Sequence, residues 1–287
     1  MKSGRLDFRP EPHEGTLGRM FANRQLRLAL FEAARAEPAI AWHDRAEIKS
    51  RERGEHGVSV TLADGQVLRA ALMVGAEGRG SPTREDAGIA IAQWQYDHRA
   101  IISGLAHEKP HDGVAWEIFS PAGPFALLPM RDAEDGSHRS ALVWTVDEKD
   151  AAGTLKLGDR AFLAEVETRM HDILGRVTAA GPRSSFPLGF HHTATITDQR
   201  LALIGDAAHG IHPIAGQGLN LGLRDAEALV RLVTETRDDP GSRLTLSRYE
   251  ATRPGDDNAR RLLDEFLAQP GAVSSEDRSP AVSASAR

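Results

Sequence analysis

The sequence predicts an α/β fold in which a mostly antiparallel β-sheet domain, residues 89–187, is inserted into a ligand-binding domain built from residues 1–88 and 188–265 around a parallel sheet. Three observations predict it. Arg200 to Val233, RLALIGDAAHGIHPIAGQGLNLGLRDAEALVRLV, reads as a buried strand, a glycine-rich loop and an amphipathic helix. Ala70 to Val74 is a second short apolar run, and it closes on Gly75-Ala76-Glu77-Gly78 in the same manner. Between the two lie strand-like runs around Ala100 to Gly104, Ala115 to Phe119 and Ala141 to Thr145.

Composition narrows the function. The chain has 287 residues, 40% hydrophobic and 26% charged, enough to bury a sizeable core in one or two domains. A net charge of -6 with 5% aromatic residues and no basic cluster argues against a nucleic-acid surface and leaves a small molecule as the expected partner. Cysteine is absent, which excludes disulfides, thiolate metal sites and a cysteine nucleophile. No run approaches the length of a membrane span and MKSGRLDFRPEP lacks a signal-peptide core, so a cytoplasmic location is expected.

In chain order, residues 1–18 are polar and interrupted by Pro10, Pro12 and Gly15, and do not read as a buried first strand. Met20 to Ala36 carries Leu26, Leu30, Ala33 and Ala34 at helical spacing and stops near Pro38. Alternating Val58, Val60 and Leu62, the Asp64-Gly65 turn and Val67 form a meander that leads into the run Ala70 to Val74. Pro124 and Pro129 would stiffen an apolar wall of Phe125, Leu127, Leu128 and Met130. Asp159 to Val177 reads as a helix on the sheet's outer face, and Phe186-Pro187-Leu188 as the returning strand. In the helix after the glycine loop, which stops at Asp238-Asp239-Pro240-Gly241, Leu219, Leu223, Ala226, Leu229, Val230 and Val233 are expected on the core face, with Arg224, Asp225, Glu227 and Arg231 opposite, and another helix starts at Arg248-Tyr249-Glu250. Beyond Pro254 the helix pattern is interrupted, and residues 266–287 are Ser/Ala/Pro-rich and expected to be disordered.

The loop itself states its chemistry. Gly205-Asp206 places a carboxylate just past the carboxyl edge of a buried strand, where open α/β sheets bind ligands. The helix that opens after Gly216-Gln217-Gly218 turns unpaired N–H groups and a partial positive charge toward the loop, which suits an anionic group.

GDAAHGIHPIAGQGLNLGLRDA closely resembles, without a gap, the second FAD-binding signature of the single-component flavoprotein aromatic hydroxylases, in the version carried by the ubiquinone-biosynthesis hydroxylases. The resemblance implies a Rossmann-like FAD/NAD(P)-binding domain. It also implies that Asp206 binds the ribitol or ribose region of FAD, that Pro213 lies against the isoalloxazine, and that Gly218, Leu219 and Asn220, following Gly216, offer N–H groups to the flavin N1/O2 edge. Gly75-Ala76-Glu77-Gly78-Arg79-Gly80-Ser81-Pro82-Thr83-Arg84 resembles the family's middle fingerprint, which lies beside FAD and is implicated in NAD(P)H binding. Glu77 departs from it, standing where the family has Asp, while Gly75, Gly78 and Arg84 keep their places. Asn23 and Arg24 occupy the start of a helix whose polar side chain, in relatives, touches the FAD phosphates. No G-x-G-x-x-G triplet occurs, so the FAD domain is expected to be incomplete, lacking its first βαβ unit, and FAD is expected to be held weakly by this chain alone.

By the resemblance, FAD reduced by NAD(P)H reacts with O2 and hydroxylates an aromatic ring, a polyprenylated phenol of ubiquinone biosynthesis, with association at the inner membrane or with a ubiquinone-biosynthesis complex. The residues supply no acid/base pair, and His209 and His212 read as loop packing rather than metal ligands. Two rival readings stay open: another flavoprotein of the same fold, a reductase or halogenase, and an inactive fragment or partner-dependent subunit that borrows the ADP-binding unit.

Overall fold

The computed structural model describes residues 7–11, 13, 15–120, 123–211 and 216–252. Helix α1 (Asn23–Ala36) comes first. Strands β1 (Ile48–Arg53), β2 (Val58–Leu62) and β3 (Val67–Ala70) then form an antiparallel meander, turned at Asp64-Gly65, where the Gln66 N–H donates to the Asp64 carboxylate. The expected run Ala70 to Val74 is divided: Ala70 ends the meander, and β4 (Met73–Gly75) joins a different sheet.

After the short helix α2 (Pro82–Asp86) come β5 (Ile91–His107), β6 (Trp116–Ser120), β7 (Gly123–Met130) and β8 (His138–Asp147). Next are helices α3 (Glu148–Lys156) and α4 (Asp159–Met170), then β9 (Val177–Ala180) and β10 (Ser184–Thr193). The predicted helix Asp159 to Val177 is therefore shorter: His171 takes a left-handed φ of 53° that α-helix cannot continue, and Val177 opens a strand on the edge of β5. Residues 143–147 belong to one long strand that runs straight into α3, a helix the sequence did not announce. The chain closes with β11 (Thr197–Asp198), β12 (Leu201–Leu203), a 3-10 turn at Gly205–Ala207, β13 (His209–Gly210), α5 (Gln217–Glu235) and α6 (Arg243–Thr252).

The large sheet runs β13-β10-β5-β8-β7-β6 with every pair antiparallel. One face packs on α3 and α4 through Ile101, Leu105, Phe125, Leu127, Leu142, Trp144, Phe162 and Val166, all buried. Strand alternation splits the expected apolar wall accordingly. Phe125 and Leu127 are 2% and 1% exposed in this core, whereas Leu128 and Met130 turn to the opposite, half-buried face with Pro124 and Ala126.

The second core gathers Leu201, Ala202, Leu203, Leu229, Leu232, Leu246 and Tyr249. Its sheet has the order β11-β12-β4, and β12 lies parallel to β4 with Leu201 opposite Met73 and Leu203 opposite Gly75. Helix α5 does not present the stripe read from the sequence. Leu229 and Leu232 are buried, but so is Asp225, at 1% exposure, while Leu219, Leu223 and Val230 face outward. Helix α1 buries none of its residues, so Leu26, Leu30, Ala33 and Ala34 are not a core stripe among the described residues. Arg200, with φ 52°, fastens this core to the meander: its guanidinium donates to both Asp239 oxygens, at 2.6 and 3.0 Å, and to the Glu55 and Ala71 carbonyls. The interruption at Pro254 and the tail at 266–287 lie outside the described residues.

Candidate functional site

The parallel pairing of Leu203 with Gly75 sets the ends of β12 and β4 side by side, and the two loops that follow are joined by side chains. Gly75 is required there by packing. A Cβ on it would stand 2.7 Å from Leu203 Cδ2 and 3.2 Å from a Glu77 oxygen. Gly78 takes φ +83°, a left-handed turn position that favours glycine.

The Glu77 carboxylate is committed within its own turn. It accepts from Ser81 Oγ at 2.8 Å and from Thr83 Oγ1, while Ser81 Oγ caps α2 by accepting from the Arg84 N–H at 3.2 Å. Burial pushes this carboxyl up, but the Thr83 and Ser81 hydrogen bonds and the charge of Arg51 outweigh it and hold the group below its usual range. Arg84, 4% exposed, donates to the Ala207 carbonyl at 3.1 Å and to the Arg79 carbonyl at 2.8 Å. It thereby stitches the middle loop to the strand-end loop.

The strand-end loop is held on several further sides. Arg79 Nε lies 3.3 Å from the Asp206 carboxylate, and its other nitrogens donate to the Gly189 and Ile211 carbonyls at 3.3 Å. His191 Nε2 donates to the Asp206 carbonyl at 2.8 Å. Asp225 accepts from the Gly205 N–H at 2.9 Å and from His209 Nε2 at 2.7 Å, and Tyr249 OH donates to the Leu203 carbonyl at 3.0 Å. The result is a fixed turn from which one carboxylate, that of Asp206, projects with about half its side-chain surface open.

Helix α5 begins beside this turn. Its N-cap Gly216 has φ 61° and, as a glycine, supplies no side-chain cap. Among the described residues a Cβ on Gly216 or Gly218 would meet nothing within 4 Å. Leu219 and Asn220 are exposed. Pro213 and His212 lie outside the described residues. Arg24 is exposed on α1, and no described contact brings it to this cluster. Among the described residues no group of three metal-ligating side chains converges.

The sequence reading missed Arg79, His191 and Tyr249 as parts of this cluster, and it placed Asp225 on the solvent face. One signal was available: Asp225 precedes Leu229 by four positions and Leu232 by seven, the spacing of one helix face. The others were invisible because their partners are distant in sequence, Arg79 and Asp206 being 127 residues apart.

A parallel strand pair whose carboxyl ends carry a glycine turn and a half-exposed carboxylate, with a helix starting beside them, defines the class: an α/β protein of the kind that binds dinucleotides or flavins at its strand ends. The family model described as "FAD binding domain" matches residues 5–264, and the chain belongs to that family. It is 46% identical to the ubiquinone hydroxylase UbiL of Rhodospirillum rubrum over 267 residues, covering 92% of this chain and 61% of that protein. It is 34% identical to the 3-demethoxyubiquinol 3-hydroxylase of Escherichia coli over 260 residues, covering 89% of this chain and 62% of that protein. Among solved structures, PqsL of Pseudomonas aeruginosa in complex with 2-aminobenzoylacetate superposes with a TM-score of 0.69 at 25% identity, covering 82% of this chain and 65% of that one. The chain spans about three fifths of the length of these curated relatives.

Proposed function

We propose that this chain is the FAD- and substrate-contacting part of a flavin-dependent monooxygenase that hydroxylates an aromatic ring, a polyprenylated phenol of ubiquinone biosynthesis, at the expense of NAD(P)H and O2. The observation that carries the reading is the half-exposed carboxylate of Asp206 beside the start of α5, in a loop braced by Arg84, His191 and Asp225. Bound FAD supplies the redox and oxygen chemistry. The chain's own residues bind and orient it.

Asp206 accepts hydroxyl hydrogen bonds from the sugar-alcohol chain. The first-turn N–H groups of α5 at Gly218, Leu219 and Asn220 favour an anionic ring edge, and Gly216 and Gly218 leave room for a flat group to approach. Gly75, Glu77, Gly78 and Arg84 serve by building and fixing the neighbouring turn. Pro213 and Arg24 are assigned to the cofactor on the family resemblance. The substrate lies on the face of the large sheet that carries Leu128, Met130 and the exposed Phe119 and Phe186, an apolar and aromatic surface suited to a ring with a hydrocarbon tail. Among the described residues no helix is long and apolar enough to cross a membrane. A prenylated substrate resides in lipid, so the proposal includes peripheral contact with the inner membrane from the cytoplasmic side, and association with other enzymes of the same pathway.

The names of the relatives support the hydroxylase reading over a reductase or halogenase. The test is an FAD titration of the purified chain followed by quenching of flavin fluorescence, and then product analysis under ¹⁸O2 with NAD(P)H and a prenylated phenol. The expected outcome is saturable quenching that Asp206→Ala weakens, and one labelled oxygen atom on the ring. Absence of saturable quenching by the wild-type chain would reject the reading.

A further inference from the structure

We propose that His191 is a positioning residue for the flavin loop: from the end of the large sheet its imidazole holds the Asp206 carbonyl and so sets where the Asp206 carboxylate points. The inference rests on the FAD reading above, but its geometry is independent of any ligand. A carbonyl oxygen can only accept, so the 2.8 Å contact fixes the proton on Nε2. His191 is 4% exposed and lies against Gly210, its partner in the β10–β13 ladder. A Cβ on Gly210 would stand 2.3 Å from the ring's Cε1 and 2.4 Å from Nδ1. Only glycine lets the imidazole reach Asp206, and the ring in turn fills the space that glycine leaves.

The strand that carries His191 is itself braced. Trp94 stacks on Phe190 with ring centroids 4.3 Å apart, and Arg79 donates to the Gly189 carbonyl. The sheet that carries His191 is thus tied to the loop by this imidazole, by Arg79 and by the β10–β13 ladder, and of these only the imidazole holds the Asp206 carbonyl. The charged groups facing it are Arg79 and Arg84 from the middle loop and Asp206 from the strand-end loop, with the His209–Asp225 pair on the neighbouring ladder position. Burial, and then the two guanidinium groups, push the imidazole toward its neutral form, against the hydrogen bond to Asp206, which favours the charged one. An imidazolium here adds a third positive charge beside Arg79 and Arg84.

Two substitutions separate positioning from bulk packing. His191→Gln can keep an N–H donor near the Nε2 position, while His191→Phe keeps a ring and removes the donor. FAD affinity is read by fluorescence quenching at about pH 8 and about pH 5.5, and loop order is read by hydrogen exchange of the Ala208 amide, which donates to the Gly205 carbonyl at 2.9 Å. The expected results are an affinity loss of about ten-fold for His191→Phe, little loss for His191→Gln, and a decline on acidification in the wild type that His191→Gln lacks. Ala208 exchange should quicken in His191→Phe alone. Equal affinities and equal exchange in all three proteins would overturn the proposal, and so would a pH decline that survives in His191→Gln. If His191→Phe does not fold, His191→Gln against wild type decides through the pH comparison. If the wild type binds no FAD, the flavin reading fails by itself, and unchanged Ala208 exchange in His191→Phe would still overturn the positioning role.

Discussion

Replacing Asp225 by alanine removes a carboxylate that is 1% exposed and that one oxygen ties to two separate parts of the loop, the Gly205 N–H at 2.9 Å and His209 Nε2 at 2.7 Å. Hydrogen bonds to a charged group contribute about 1.5 to 3 kcal/mol each, so the two drawn to this carboxylate contribute about 3 kcal/mol or more. The expected loss in Asp225→Ala is therefore about 3 kcal/mol or more, a large share of the 5 to 15 kcal/mol that roughly bounds the stability of a domain. Urea unfolding followed by tryptophan fluorescence measures it, with the slope checked so that only the midpoint moves. Asp225→Asn keeps an acceptor oxygen of the same reach and should lose less than half as much. A loss below about 1 kcal/mol in Asp225→Ala would refute the reasoning, since it would mean that the two hydrogen bonds drawn to this carboxylate carry no net free energy.

Three other outcomes follow from the same geometry. Asp206→Ala should weaken FAD binding by about ten- to a hundred-fold, whereas Glu77→Ala should show chiefly as a stability loss of about 1 to 2 kcal/mol, because Glu77 is committed to Ser81 and Thr83 and Asp206 projects outward; equal losses in a flavin titration would contradict the division. Leu127→Ala should cost about 2 to 5 kcal/mol in urea unfolding and Leu128→Ala under about 1.5, since adjacent strand residues face opposite sides and only Leu127 lies in the helix-packed core; similar costs would place α4 on the wrong face. His107, 3% exposed between the Lys109 carbonyl and Ser140 Oγ, has its pKa pushed down, first by burial and further by the nearby His111 and His138. A folded pKa below the unfolded value of about 6.5 means that the unfolded chain takes up more protons on acidification, so this contribution is complete above that pH and is lost as pH falls below it. Unfolding free energy measured between about pH 8 and pH 5 should fall less steeply in His107→Gln than in the wild type, and an unchanged slope would count against the assignment.

The sequence by itself determined the α/β class and many of the elements, with α3 and β9 among the exceptions. A short apolar run, Gly205-Asp206 and a helix opening after Gly216-Gln217-Gly218 are local signals, each decided by the backbone freedom of a few adjacent residues, and they indicated the α/β class, although the helix starts two residues earlier, at Gln217. Alternation likewise announced β2 of the meander, because a period of two is written into the chain wherever one face is buried, and the strand-like runs around Ala100, Ala115 and Ala141 marked β5, β6 and β8 of the inserted sheet. What the sequence left undecided was which face. Phe125 and Leu127 differ from Leu128 and Met130 in no local property, and only the docking of α3 and α4 on one side of the sheet turns the first pair into core. The same holds for α5, where a stripe containing Leu229 and Leu232 becomes the core side although Asp225 lies on it. The carboxylate is tolerated there because the Gly205 N–H and His209 arrive from 16 to 20 residues away to satisfy it. His191, Arg79 and Arg84 brace the loop for the same reason: each is an ordinary polar residue until the parallel pairing of β4 with β12 and the antiparallel pairing of β10 with β13 bring it within reach of a loop carbonyl or carboxylate. Local sequence fixes the torsional and solvation preferences of a segment, whereas a buried hydrogen bond between distant segments exists only after the chain has closed around it.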